Sequence, residues 1–356
     1  MSRFLLPRYQ SLDPYVPGEQ PQDKAYIKLN TNESPFPPAP GVLEVLSRER
    51  ALRLNLYPDP LARELKEAIA EEYGVSVSHV FVGNGSDEVL GFAFLAYADE
   101  EHPVTIPTVS YGFYRVFSRL FRVQPNEIPL NKDLTIPAEK FCHADSMVVL
   151  ANPNAPTALA LTLNELESII ATNPGYVVLI DEAYVDFGGE SVLPLLSKYE
   201  NLLIVRTFSK SRSLAGGRLG YALANPALIE DLERIKGSFH PYSVNSLTMA
   251  AGAAAMRDRE YFAECVQGIC EQRTETAKQL RKLGFWMTES QTNFLLVSHP
   301  KVSGRDYYEK LKARGILVRH FSGKALNSYV RITIGTKEEM ERLIKATEAI
   351  LRETKA

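Results

Sequence analysis

The sequence predicts an α/β protein: a large domain with a mostly parallel central sheet, plus a smaller α+β domain. Three observations carry this expectation. At 356 residues the chain exceeds the usual size of one domain. Between residues 79 and 224 short, nearly continuous apolar runs alternate with helical patterns, the mark of parallel strands covered on both faces. Past residue 245 the texture changes to one long amphipathic stretch followed by further strand candidates.

In chain order, Phe4, Leu5 and Leu6 are the only apolar residues between Arg3 and Pro7, far short of a signal-peptide core or a membrane span. The stretch 34–40, SPFPPAP, is too proline-dense for regular structure and reads as a link between an N-terminal arm and the main body. Strands are expected at 79–83, 146–151, 176–181, 201–207 and 220–224. A helical stretch follows over 258–283, then strands at 294–297, 316–319 and 330–334. The last helix opens at Thr336, whose spacing to Glu339 fits a capping box. The expected division is a large domain over 46–245, with 1–45 and 246–356 supplying the arm and the small domain.

Composition excludes some partners. With 40 Lys+Arg against 43 Asp+Glu the net charge is −3, so there is no basic surplus to neutralise a nucleic acid. Nothing reads as a membrane anchor. Cys142, Cys265 and Cys270 are too few and too irregular for a disulfide framework or a zinc site. They read as reduced thiols in a cytoplasmic protein, and no metal is expected.

In open parallel sheets ligands sit beyond the carboxyl ends of the strands, and the informative segments fall there. Thr207-Phe208-Ser209-Lys210 ends one strand and is followed by Gly216-Gly217-Arg218. Such a lysine can form an imine with an aldehyde while neighbouring hydroxyls and the arginine bind an attached phosphate; a surface lysine in a polar loop is the plain alternative. Asp181 ends another strand, with Tyr184 three residues on. A carboxylate there would hold a pyridine nitrogen protonated, or simply cap a helix.

Gly83-Asn84-Gly85-Ser86-Asp87 joins a strand to a helix, which makes a phosphate cradle or an ordinary turn. Tyr111 offers a stacking face, although tyrosine is also common in cores. Asn152-Pro153-Asn154-Ala155-Pro156-Thr157 is a stiff loop whose amides point at a ligand edge or only brace the turn. Arg319 and Arg331 stand on small-domain strands; a half-buried arginine needs an anion, from a substrate or from a salt bridge.

The order and spacing of the Asn/Pro loop, Asp181-Glu182-Ala183-Tyr184, the lysine segment and Arg218 eight residues after Lys210 resemble the fold-type I pyridoxal-phosphate-dependent transferases. More narrowly, LNTNESPFPP (29–38), LYPDP (56–60), GNGSDE (83–88), SYGFY (110–114), RTFSKSRSLAGGRLGY (206–221) and VRITIGT (330–336) resemble the histidinol-phosphate aminotransferase family, over about residues 15–345.

That resemblance implies a set of roles. Lys210 would carry pyridoxal 5'-phosphate as a Schiff base and shuttle the proton, Asp181 would pair with the pyridine nitrogen, and Tyr184 with the phenolic oxygen. Gly85, Ser86, Asp87, Thr207, Ser209 and Arg218 would surround the phosphate, and Tyr111 would stack on the ring. Tyr57 would reach the cofactor of a partner subunit, making a homodimer with shared sites. Tyr15, Arg319 and Arg331 would hold the anionic end of a small-molecule amino donor. The reaction implied is L-histidinol phosphate with 2-oxoglutarate; an aromatic aminotransferase or a threonine-phosphate decarboxylase would use the same parts. A non-catalytic regulator is disfavoured, because such proteins add a DNA-binding segment. The chain departs from the family's N-P-x-N-P-T-G loop at Ala155 and Ala158. With no amide at 155, Asn154, Asn152 or Tyr184 alone is expected to meet the phenolic oxygen.

Overall fold

The computed structural model describes residues 2–10 and 12–353. Its strands, in chain order, are β1 (Ile27–Lys28), β2 (Val80–Gly83), β3 (Val104–Pro107), β4 (Pro125–Ile128), β5 (Met147–Ala151), β6 (Val178–Asp181), β7 (Leu202–Thr207), β8 (Gly220–Ala224), β9 (Trp286–Met287), β10 (Phe294–Ser298), β11 (Ile316–Leu317), β12 (Arg319–His320) and β13 (Val330–Thr333). β2 to β8 form a seven-stranded sheet in the order β2-β8-β7-β6-β5-β3-β4.

The continuous apolar runs are explained by burial on both faces. Along β5, Val148 and Leu150 enter one core while Met147, Val149 and Ala151 enter the other. Along β6 and β7, Val178, Ile180, Leu202 and Ile204 face the first core, and Leu179, Leu203 and Val205 the second. Each such Val, Leu, Ile or Met side chain, fully buried, contributes about 1.5–3 kcal/mol, so this slab of sheet is the rigid base on which the strand-end residues stand.

Three features differ from the sequence expectation. β8 runs antiparallel to both β7 and β2; its GYALA run is as apolar as its neighbours, and apolar periodicity reports burial rather than direction. β3 and β4 were not expected. β3 is cut short by Pro107, and β4 is an edge strand that begins with Pro125 and leaves Asn126 and Glu127 exposed, so neither shows a long apolar run. The strand expected at 316–319 is split: β11 pairs with β1 of the arm, and β12 with β13.

β9, β10, β12 and β13 form a second sheet, antiparallel and four-stranded, packed with the helices Arg259–Lys282, Gly304–Ala313 and Lys337–Glu353. The capping box forms as expected: the Thr336 N–H donates to Glu339 Oε2 at 2.8 Å and the Glu339 N–H to Thr336 Oγ1 at 3.3 Å. For the domains we propose a division slightly different from 46–245. Val42 of the helix Pro40–Val45 and Ala251, Ala253 and Met256 of the helix Ser246–Arg257 share the core that holds β5 to β7, so both helices belong with the large sheet. Among the described residues no helix is long and apolar enough to cross a membrane.

Candidate active site

Because β2, β3, β5, β6 and β7 point the same way, their carboxyl ends share one edge of the sheet. There they line a cavity of about 290 Å³. One end of it is built for an anion. After β2 the chain turns through Gly85, at φ 81°, into the helix Ser86–Tyr97. A side chain at Gly85 would lie 2.7 Å from Arg218 Nη2, so only glycine lets the guanidinium close over the turn. The helix N-terminus presents free N–H groups and a partial positive charge. Ser86, Thr207, Ser209 and Arg218 line the same corner. Thr207 Oγ1 lies 3.0 Å from Ser209 Oγ and accepts the Ser209 N–H at 3.1 Å, which fixes the hydroxyl pair at the end of β7.

Asp181 closes β6 at the cavity wall. Its carboxylate accepts from the Tyr114 hydroxyl at 2.8 Å and the Ala183 N–H at 3.1 Å. Burial nevertheless pushes its pKa up to about 6, because two neutral donors do not replace water around a charge. The site therefore rewards a cationic partner for Asp181.

Lys210 reaches the same cavity from the turn after β7. Its Nζ donates to the Thr31 carbonyl of the arm at 3.3 Å. Burial first, and the nearby Arg331 charge second, lower its pKa to about 8, so roughly a tenth of the amine is neutral and nucleophilic at pH 7, far more than for an ordinary lysine. Tyr184 stands beside it, with Lys210 Nζ 5.8 Å from its ring centroid. Tyr111 donates to Asp87 Oδ1 at 2.7 Å, and Arg218 Nη2 donates to Asp87 Oδ2 at 3.1 Å. Asp87 thus ties the flat Tyr111 ring to the anion corner, leaving its backbone to face the cavity.

The cavity opens into a wider mouth of about 680 Å³. Arg331 and Arg319 line it, with Tyr15 at its rim, the Tyr15 ring centroid 4.6 Å from that of Phe113. Arg319 donates to the carbonyls of Pro17 and Val16 at 3.3 and 3.2 Å. Arg331 donates through Nη2 to the Asn30 carbonyl at 2.9 Å, while its buried Nε has no partner. Among the described residues no aspartate or glutamate lines this mouth.

Three expected residues are not brought to the cavity within this chain. Asn154 is buried, with its Oδ1 accepting from Ser110 and its Nδ2 donating to the Val109 carbonyl and to Thr157 Oγ1; neither N–H of its amide is left for a ligand. Asn152 is likewise turned to Leu161. Ala155, by contrast, faces both cavities. Tyr57 is 83% exposed and stacks on Tyr242, away from the site. Sequence reasoning missed Tyr114, Thr31 and Asn32. Tyr114 follows Tyr111 at helical i, i+3 spacing, a signal that could have found it; the arm residues meet the strand ends only through the fold.

A model of the family "aminotransferase class I and II" matches residues 24–346. The chain is 47% identical to the histidinol-phosphate aminotransferase of Brachyspira hyodysenteriae, over 99% of this chain and 100% of that protein. The chain belongs to the histidinol-phosphate aminotransferase family. The corresponding enzyme of Chromohalobacter salexigens is 48% identical, over 99% of this chain and 100% of its own length. The crystal structure of histidinol-phosphate aminotransferase from Sinorhizobium meliloti, in complex with pyridoxal-5'-phosphate, superposes with a TM-score of 0.88 at 26% identity, covering 99% of this chain and 98% of that one. For an aminotransferase of this family the parts are apt: an anion corner, a carboxylate short of a cation, and a lysine with a depressed pKa, all on one cavity wall. They fit a flat, phosphorylated heteroaromatic aldehyde.

Proposed function

We propose that this aminotransferase binds pyridoxal 5'-phosphate in the smaller cavity and transfers the amino group of L-histidinol phosphate to 2-oxoglutarate. The products are imidazole-acetol phosphate and glutamate. The observation that carries the substrate reading is the acid-free mouth in which Arg331, short of a carboxylate, faces the cavity that also holds Lys210. Both donor and acceptor bring an anionic group to that position, and an arginine fork suits phosphate and carboxylate alike.

Ser86, Thr207, Ser209 and Arg218 would hold the cofactor's phosphate, with Gly85 and the backbone at Asp87 shaping the corner. Asp181 would hold a proton on the pyridine nitrogen, and in doing so gain the cation its burial calls for. Tyr184 would donate to the phenolic oxygen, and Tyr111 would cover the ring face. When bound, the cofactor supplies the electron sink for the pair left at the substrate's α-carbon. Lys210 Nζ would take the α-proton and return it to the carbon on the other side of the imine nitrogen, general acid–base work worth about 10²–10⁴ in rate. Arg331, Arg319 and Tyr15 orient the substrate so that its α-hydrogen faces Nζ.

A homodimer with shared sites is part of the proposal. It is supported by the run of exposed apolar residues Leu43, Leu46, Leu52, Leu54, Leu56 and Tyr57, more than a monomer usually leaves to water. Tyr57 would then reach the partner's phosphate corner. A cytoplasmic setting is proposed with it, supported by the three free cysteines. Glutamate formation from histidinol phosphate and 2-oxoglutarate by the cofactor-loaded protein tests the reading. Robust turnover is expected, and none with this pair would refute the substrate assignment.

A further inference from the structure

We infer that Asn32, on the N-terminal arm, is a positioning residue for the ring: it aims the Tyr184 hydroxyl at the phenolic oxygen and so makes up for the donor missing at Ala155. This rests on the reading that pyridoxal 5'-phosphate occupies the smaller cavity.

Ala155 faces both cavities and offers only a methyl group. Neither neighbouring amide replaces it: Asn154 is turned to Val109, Ser110 and Thr157, Asn152 is turned to Leu161, and neither lines a cavity. The polar group that remains is the Tyr184 hydroxyl, which has one proton to give and can accept on its oxygen. Asn32 Nδ2 lies 2.9 Å from that oxygen. If the amide donates, the tyrosine oxygen is an acceptor toward Asn32, and its own proton is free to point into the cavity.

The surroundings decide which way the amide faces. The buried Thr333 hydroxyl accepts the Asn32 N–H at 3.0 Å and lies 3.1 Å from Asn32 Oδ1. A reversed amide would face Thr333 with N–H groups and leave the hydroxyl's proton without an acceptor, at a cost that buried polar groups avoid. With Oδ1 toward Thr333, the Thr333 proton has its acceptor and Nδ2 faces the Tyr184 oxygen. The backbone is clamped too. Asn32 sits at φ 55°, a left-handed conformation that asparagine tolerates, and its carbonyl accepts from Asn293 Nδ2 at 3.1 Å. A hydroxyl that accepts from a fixed amide is also a stronger donor in its turn. One directed, polarised donor then does the work of two.

The test is a pH titration of the visible absorbance of the loaded protein. A donor on the phenolic oxygen stabilises its negative charge and weakens its hold on the proton shared with the lysine-linked nitrogen, so donors lower the midpoint. Asn32→Ala is expected to raise it by about half a unit to one unit, the size of one hydrogen bond. Ala155→Asn in the Asn32→Ala background is expected to bring it back. Because Asn32 also docks the arm, Thr333→Val, which keeps the shape and frees the amide to turn, serves as a second probe and is expected to raise the midpoint in the same direction. An unmoved midpoint in both Asn32→Ala and Thr333→Val, or a rise that Ala155→Asn does not reverse, would overturn the inference while leaving the cofactor in place. No visible band in the unsubstituted protein would instead overturn the cofactor reading, and this inference with it.

Discussion

Arg331 Nη2 donates to the backbone carbonyl of Asn30 across 2.9 Å, and among the described residues no carboxylate meets its guanidinium. Phe294 and Phe321 flank it instead, their ring centroids 5.3 and 5.8 Å from its Cζ. A half-buried cation held by a neutral carbonyl and two aromatic faces is unfinished, and a substrate anion finishes it. Arg331→Gln should lower kcat/KM for histidinol phosphate by about 10²–10³, as the loss of a desolvated charged pair does. Uncharged amino donors should lose far less. Equal losses for both would show that Arg331 acts by holding the fold, not by meeting the anion.

Lys210 offers a kinetic readout of its own titration. Its pKa is held at about 8 by burial and by Arg331, so capture of the aldehyde by the apo protein should speed up as pH rises and level off above that value. In Arg331→Gln the second-largest of the effects that depress it is gone and the midpoint should move upward. Lys210→Ala should bind the cofactor without the visible band and lose turnover. Full activity in that variant would remove Lys210 from the chemistry.

Asp181 makes the apo protein pay for its site. Its folded-state carboxyl titrates near 6 against 3.8 for an ordinary aspartate, so between those values the folded state binds more protons than the unfolded one. Stability from this group is therefore lost as pH rises through about 4 to 6, on the order of 3 kcal/mol in all. Asp181→Asn apo protein should gain thermal stability relative to its parent as the pH is raised across that window, yet hold the cofactor more weakly. Parallel Tm curves for the two proteins over that range would contradict the assignment.

Gly220 is a packing requirement of the phosphate corner. A Cβ there would lie 2.2 Å from the Ser86 backbone nitrogen, and backbone cannot swing aside as a side chain can. Gly220→Ala should push the start of the helix Ser86–Tyr97 off β8, destabilising the protein by about 1–3 kcal/mol and weakening cofactor retention. Wild-type Tm and retention would mean that the turn has slack.

The parts legible in the sequence are those where one residue carries its meaning locally. The apolar runs of β5, β6 and β7 could only be doubly covered strands, and Asp181 and Lys210 stand at strand ends where open sheets bind ligands. What was not legible depends on neighbours distant in sequence. Nothing in GYALA says that β8 runs backwards. β4, with Asn126 and Glu127 exposed on an edge, carries no apolar signal. Asn154 looks like a free amide until the fold brings the Val109 carbonyl to it. Asn32 meets Tyr184 across 152 residues, a contact that no spacing announces.

The most direct measurement is a single half-reaction. Protein loaded with pyridoxal phosphate is mixed in turn with histidinol phosphate, phenylalanine, tyrosine and threonine phosphate, and loss of the visible band is followed. Conversion to the amino form of the cofactor is expected to be at least about tenfold faster with histidinol phosphate than with either aromatic acid, the discrimination that roughly 1.4 kcal/mol of differential binding gives. Faster conversion by phenylalanine or tyrosine would contradict it, because Arg331 would then be meeting an α-carboxylate in place of the phosphate.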